Sequence, residues 1–235
     1  MNAQPRAVLA FCITFMIASS ATAHDPIFAL GPHVLYKGGV EASWVTERAD
    51  SGAPWRQAVE AAYGLTGDWA VTAQLTATGP ANAPRWIVAS KYRFWRRDRL
   101  GIQESMALML RGEDQGGWGT GIAYGFESIR WYRWLSARRL QGPETNGRRP
   151  APQWRLDLVG GIRPKPPRYT APDAVWLLEL NGEFSEAGGQ RWFLSPGLFW
   201  TWRNFAIKTG VQQAVQQGGL PKVERRLQTD IEWHF

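Results

Sequence analysis

The stretch VERRLQTDIEWHF, residues 223–235, decides the fold. Its odd positions are Val223, Arg225, Leu227, Thr229, Ile231, Trp233 and Phe235; its even positions are Glu224, Arg226, Gln228, Asp230, Glu232 and His234. Successive side chains of a strand point to opposite faces. One face is therefore apolar apart from Thr229 and an arginine near one end, and the other is wholly polar. A strand of a transmembrane barrel needs roughly 9–11 residues, apolar toward lipid and polar toward the lumen. A soluble sandwich or lipocalin-like barrel also alternates, with its apolar face inward. Midspan charge of both signs on the polar face and the abundance of tryptophan argue against that alternative.

The same period runs backwards along the chain. Residues 173–184 set Ala174, Trp176, Leu178, Leu180 and Phe184 against Glu179, Asn181 and Glu183, and residues 153–163 set Trp154, Leu156, Leu158 and Ile162 against Arg155, Asp157 and Arg163. Segments 69–77 and 85–95 alternate as well; 38–48, 55–65, 119–129, 191–203 and 204–213 do so less strictly. Segments 101–111 and 130–140 are ambiguous in phase and are placed as strands because turn residues flank them. Tight turns at 65–68, 96–101 and 203–204 face longer loops at 49–54, 78–84, 112–118, 141–153, 185–190 and 214–222. That asymmetry belongs to outer-membrane barrels. The connection 164–172 is long where parity requires a short one. The expectation is an all-β, antiparallel up-and-down transmembrane barrel of about twelve strands, with ten as the alternative.

The N-terminus reads as an export signal: Arg6, an apolar run from Ala7 to about Ile17, then small residues ending in Ala21-Thr22-Ala23. Residues 1–23 are expected to be cleaved, 24–36 to form a periplasmic lead-in, and 37–235 to form the barrel. The single cysteine, Cys12, leaves with the signal, which excludes a disulfide-stapled fold. Fourteen tryptophans among 235 residues suit a membrane interface, where one edge of the ring is apolar and the other wet. The formal charge of +7 comes from scattered arginines, so no nucleic-acid partner is expected; basic residues at a barrel rim would face anionic lipopolysaccharide instead. The C-terminal Trp233 and Phe235, on the lipid-facing parity, read as an assembly signal for barrel-folding machinery.

Chemistry is sparse. A Ser–His hydrolase acting on lipid needs a histidine beside a serine at the lipid-facing rim, and His24, His33 and His234 do not offer one, so no enzyme is expected. No resident cofactor is expected either. The alternative is a copper or zinc site at the mature N-terminus, built from the His24 amine and imidazole with His33 as a further nitrogen. The remaining chemistry is charge on the inward parity: Glu41, Glu60, Lys91, Arg93, Glu127, Arg155, Asp157, Glu179, Glu183, Lys208, Glu224, Arg226, Asp230 and Glu232. Mixed signs either line a water-filled path or pair across the interior and close it.

Three stretches, HDPIFALGPHVLYKGG (24–39), WLLELNGEFSE (176–186) and LSPGLFWTWRNFAIKTGVQQAV (194–215), resemble a family of proteobacterial outer-membrane barrels. That family is transporter-like, related to barrels named after phenol-degradation pathways, and often associated with heavy-metal or copper handling. The resemblance covers the lead-in and the last third and carries no catalytic motif. It implies a barrel in the outer membrane of a Gram-negative envelope; with the inward charges and a twelve-strand width, the expectation is a porin-like monomer passing a small solute. The alternatives are a non-conducting structural or partner-binding barrel, for instance of an envelope metal-efflux system, and, third, a lipid-modifying enzyme.

Overall fold

Each alternating run forms a strand in the computed structural model, which describes residues 25–50, 54–78, 84–144, 149–167 and 171–235. The expected signal, residues 1–23, and His24 lie outside the described residues. The strands are β1 (Val40–Ala49), β2 (Arg56–Gly64), β3 (Trp69–Thr78), β4 (Arg85–Arg99), β5 (Ile102–Glu113), β6 (Trp118–Ser128), β7 (Trp131–Gln141), β8 (Gln153–Ile162), β9 (Asp173–Ser185), β10 (Gln190–Trp202), β11 (Phe205–Gly218) and β12 (Arg225–His234). Each pairs antiparallel with its sequence neighbour, and β1 pairs with β12, so the sheet closes into a twelve-stranded barrel with no free edge. Closure runs from Glu41 opposite His234 to Ala49 opposite Arg226. Asp50 Oδ1 ties the far end of the seam by accepting from the main-chain N–H groups of Glu224 and Arg225, at 2.9 and 2.8 Å.

The outward face is apolar. Trp86, Val88, Leu110, Leu135, Leu158, Trp176 and Leu178 all stand more than half exposed. Leaving such side chains in water rather than in acyl chains costs roughly 1.5–3 kcal/mol each, so this belt fits a bilayer. The connection from β8 to β9, described at 163–167 and 171–172, leaves the barrel at the end where β1 starts and β12 finishes, and the strand count stays at twelve.

Two strands run further than the sequence expectation. The β4–β5 hairpin runs through the turn expected at 96–101, because Arg96 to Arg99 pair with Ser105 to Ile102. A bulge after Arg93 lets Phe94 and Trp95 both face outward and returns Arg96 to the inner side. Strand β11 reaches Gly218, into the loop expected at 214–222, because Gln190 and Arg191 of β10 pair with Gly218 and Gln217.

The largest departure concerns the lead-in. Residues 25–35 do not stay outside as a periplasmic segment; they run through the interior, and Ile27, Ala29, Leu30, Val34 and Leu35 are all buried, while Tyr36 is exposed. The physical reason is that these apolar side chains need cover and the barrel wall supplies it. Ile27 and Ala29 pack in one cluster with Tyr132, Trp134, Val159, Val175, Leu177, Phe199 and Ala206. Val34 and Leu35 form a second cluster with Ala70 and Ala62. Gly38, at φ +79, turns the chain out of the lumen into β1, and its N–H donates to Gly64 O at 2.8 Å.

Candidate functional site: a plugged lumen

The lead-in is held by side chains from strands distant in sequence. Glu179, on β9 and fully buried, accepts from Ile27 N at 2.8 Å and from Phe28 N at 3.2 Å. Asn181 Nδ2 donates to the same carboxylate at 3.3 Å. Arg138 donates to Phe28 O at 2.9 Å and Gln228 to Ile27 O at 2.9 Å. Lys91 pairs with Asp25 at 2.6 Å, Lys208 reaches Asp25 O at 3.2 Å, and Leu30 N donates to Ser136 Oγ at 3.4 Å. The main-chain polar groups of an inserted loop must find partners; here the wall provides them.

Small residues make room for the segment. A Cβ on Gly197 would collide with Ile27 Cδ1, and one on Gly125 would collide with the wall's Trp134 and, at 2.5 Å, with Pro32 Cγ. The wall is shaped to this peptide at those two points.

Around the plug the charges form networks. Glu183 takes Arg191 at 2.5 Å, Arg226 at 2.8 Å and Arg155 at 3.3 Å. Asp157 takes Arg138 at 2.7 Å, Ser136 at 2.8 Å and Asn181 at 3.0 Å. Asn181 Oδ1 in turn accepts from Ser195 at 2.7 Å and Gln212 at 3.0 Å. Lys208 pairs with Glu232 and, at 3.4 Å, with Asp230. Arg93 serves the terminal end, bonding Asp68 at 2.9 Å and Gly67 O at 2.5 Å. Glu127 meets the His33 ring of the lead-in. At the opposite rim Glu186 accepts from Arg139 at 2.9 Å and Trp154 Nε1 at 3.2 Å, and the Arg139 hydrogen bond holds its carboxyl below the usual range.

Three cavities follow one another along the axis. The mouth opposite the C-terminus holds about 680 Å³, the centre about 580 Å³ and the C-terminal end about 410 Å³. Mouth and centre share Arg56, Ile87, Arg111, Arg138 and Arg155 in their walls, whereas centre and terminal end share only the lead-in residues Asp25, His33 and Val34. The lead-in is the partition between them.

Of the inward candidates, Glu41, Glu60, Lys91, Arg155, Asp157, Glu183, Lys208, Arg226, Asp230 and Glu232 line the central cavity, Arg93 and Glu127 line the terminal-end cavity, and Glu179 is spent on the plug. Glu224 is a correction: it precedes β12, is exposed, and pairs with Lys222 at 2.6 Å. Trp233 and Phe235 face outward. For a metal, His33 spends its Nε2 on Glu127, and its ring stands edge-on to Trp134 at 6.1 Å. A different trio, Glu41, Glu232 and His234, offers ligand atoms within 4.8 Å of one another. Lys208 already neutralises Glu232, so the trio reads as part of the charge network.

The residues that sequence reasoning missed are Ser136, Arg138, Gln212 and Gln228, together with the inward aromatics Tyr132, Trp134, Phe193 and Phe199. The signal for Tyr132 and Trp134 was the ambiguous phase of 130–140, where both faces carry apolar residues.

No family model matches the chain, and no curated protein does. Solved structures do. The barrel is shaped like known outer-membrane porins. A structure of the porin NanC aligns with TM-score 0.57 at 8% identity, covering 82% of this chain and 98% of the other. The porin KdgM aligns with TM-score 0.53 at 10% identity, covering 83% and 99%. An outer-membrane channel from Pseudomonas putida F1 aligns with TM-score 0.57 at 10% identity, covering 86% and 97%. At this identity the likeness is one of fold.

Proposed function

We propose that this protein is an outer-membrane barrel for passive or facilitated passage of a small solute, with the lead-in as its internal stopper. The observation that carries the reading is the row of three cavities along the axis, the central and terminal-end ones meeting only at the lead-in residues Asp25, His33 and Val34 among the described residues. A barrel of about eight strands has an interior that side chains alone fill; twelve strands leave space, and here a peptide occupies part of it. The outward apolar belt and the porin-like fold support placement in the outer membrane; a monomeric state, contact with lipopolysaccharide and delivery by barrel-folding machinery are further parts of the proposal.

The dense bonding of the lead-in favours a second reading, a non-conducting barrel that serves a partner of the envelope. Planar-bilayer recording of the refolded mature chain separates the two. Discrete, repeatable conductance steps support passage; a silent barrel that is correctly folded overturns it. The copper or heavy-metal link implied by the resemblance is a finer proposal, and its test is metal titration of the same protein.

A further inference from the structure

The cavity at the mouth differs in charge from the one below it. The central cavity is lined by acidic and basic residues in near balance. The mouth is lined by Arg56, Arg85, Arg111, Arg138 and Arg155 against a single carboxylate, Glu113, which is already bonded to Arg111 at 2.7 Å. All five arginines project inward from strands, so the lumen, not the lipid surface, receives them.

Two further observations show that this charge is not fully used by the protein. Arg138 and Arg155 sit directly opposite each other on the β7–β8 ladder, with both side chains in the cavity wall. Like charges directly opposite in a sheet repel. Each is tied to a carboxylate on its deeper side, Asp157 at 2.7 Å and Glu183 at 3.3 Å. Yet the buried Nε–H groups of Arg111, Arg138 and Arg155 find no acceptor among the described residues. Arg85 has no ion pair among the described residues, and Arg56 holds Glu47 only at 3.3 Å. Ile87, Leu140, Pro84 and Pro150 give the same cavity an apolar side.

Guanidinium groups present planar forks of donors that match a carboxylate. We infer that the mouth is a binding site for a small organic carboxylate, which five arginines draw in and hold before it meets the plug. The inference rests on the passage reading and names its substrate class. The acceptor oxygens would bond the solvent-facing guanidinium ends of Arg56, Arg85 and Arg155 and offset the Arg138–Arg155 repulsion, while the apolar wall takes the carbon skeleton.

Calorimetric titration of the mature chain in detergent micelles, with gluconate as the probe and choline as the cationic control, tests this without relying on conduction. Gluconate should bind at low salt and more weakly as salt rises. Arg85→Gln and Arg155→Gln should each weaken it about threefold or more, and Arg225→Gln, on the outward face, should leave it unchanged. No gluconate binding, equal binding of choline, or unaltered affinity in a folded variant would overturn the inference. Arg85 is exposed at a strand end, so its variant keeps the test valid if Arg155→Gln does not fold. Gluconate binding in a barrel that never conducts would support this site and overturn the passage reading; conduction without gluconate binding would do the reverse.

Discussion

Replacing Glu179 by leucine should loosen the plug without disturbing the wall. The carboxylate is fully buried and accepts the N–H groups of Ile27 and Phe28. Leucine keeps roughly the side chain's bulk and removes both acceptors. Hydrogen bonds to a charged group contribute about 1.5–3 kcal/mol each, so the pair is worth roughly 3–6 kcal/mol. Water in the adjoining central cavity can solvate part of what is lost, which brings the net to about 2–4 kcal/mol. Because each 1.4 kcal/mol is tenfold, the plug-released state should gain about 30- to 1000-fold in population. Glu179→Gln keeps one acceptor oxygen and should shift the population far less. Single-channel recording reads this directly as the frequency of large openings. An unchanged opening frequency in Glu179→Leu, with heat-modifiable electrophoretic mobility showing an intact barrel, would refute the claim that this carboxylate anchors the stopper.

Other perturbations test separate parts. Gly197→Val should drive a side chain into Ile27 and raise the opening frequency, while Gly160→Ala, which meets nothing within 4 Å, should record like the parent. Lys208→Met leaves Asp230 and Glu232 buried without their cation and should cost about 3–5 kcal/mol, seen as a lower melting temperature by circular dichroism. His33→Ala should leave copper affinity of the mature chain unchanged, because that ring is engaged by Glu127; a tenfold loss in titration would restore His33 as a ligand. Removing Phe235 should reduce the folded fraction in outer-membrane preparations if the terminal aromatic is an assembly signal.

The barrel was legible where the outward and inward faces differ in chemistry. In β12 every inward residue is polar, and Ile231, Trp233 and Phe235 lie outside, so parity alone settled the strand. In β7 the inward positions include Tyr132 and Trp134 and the outward ones Arg133 and Leu135, and the alternation blurred. Those aromatics face inward because the lead-in gives them an apolar partner, and nothing local to 130–140 announces it. The lead-in was equally opaque: Ile27, Ala29, Leu30, Val34 and Leu35 follow no strand or helix period. Ile27 and Ala29 match a surface assembled from residues more than a hundred positions away, and Val34 and Leu35 one made by Ala62 and Ala70 on two further strands. Glu224 was misplaced for a simpler reason, since alternation does not say where pairing begins. Of the mouth arginines only Arg155 stood on the inward list; Arg56, Arg111 and Arg138 lay in less regular runs and Arg85 at the start of its run, and composition carries sign but not direction.

The stopper is never a free ligand, since Tyr36 to Gly39 join it to the first strand. A short tether keeps a released segment at an effective concentration on the order of millimolar. Its return is therefore first order and fast, and a plug with only millimolar intrinsic affinity would still fill the lumen half the time. Openings of such a barrel are expected to be brief and self-terminating, a ball on a chain that the wall recaptures. A solute that competes for the same arginine, Arg138, would lengthen them, and under the passage reading the permeant itself would set how long its path stays open.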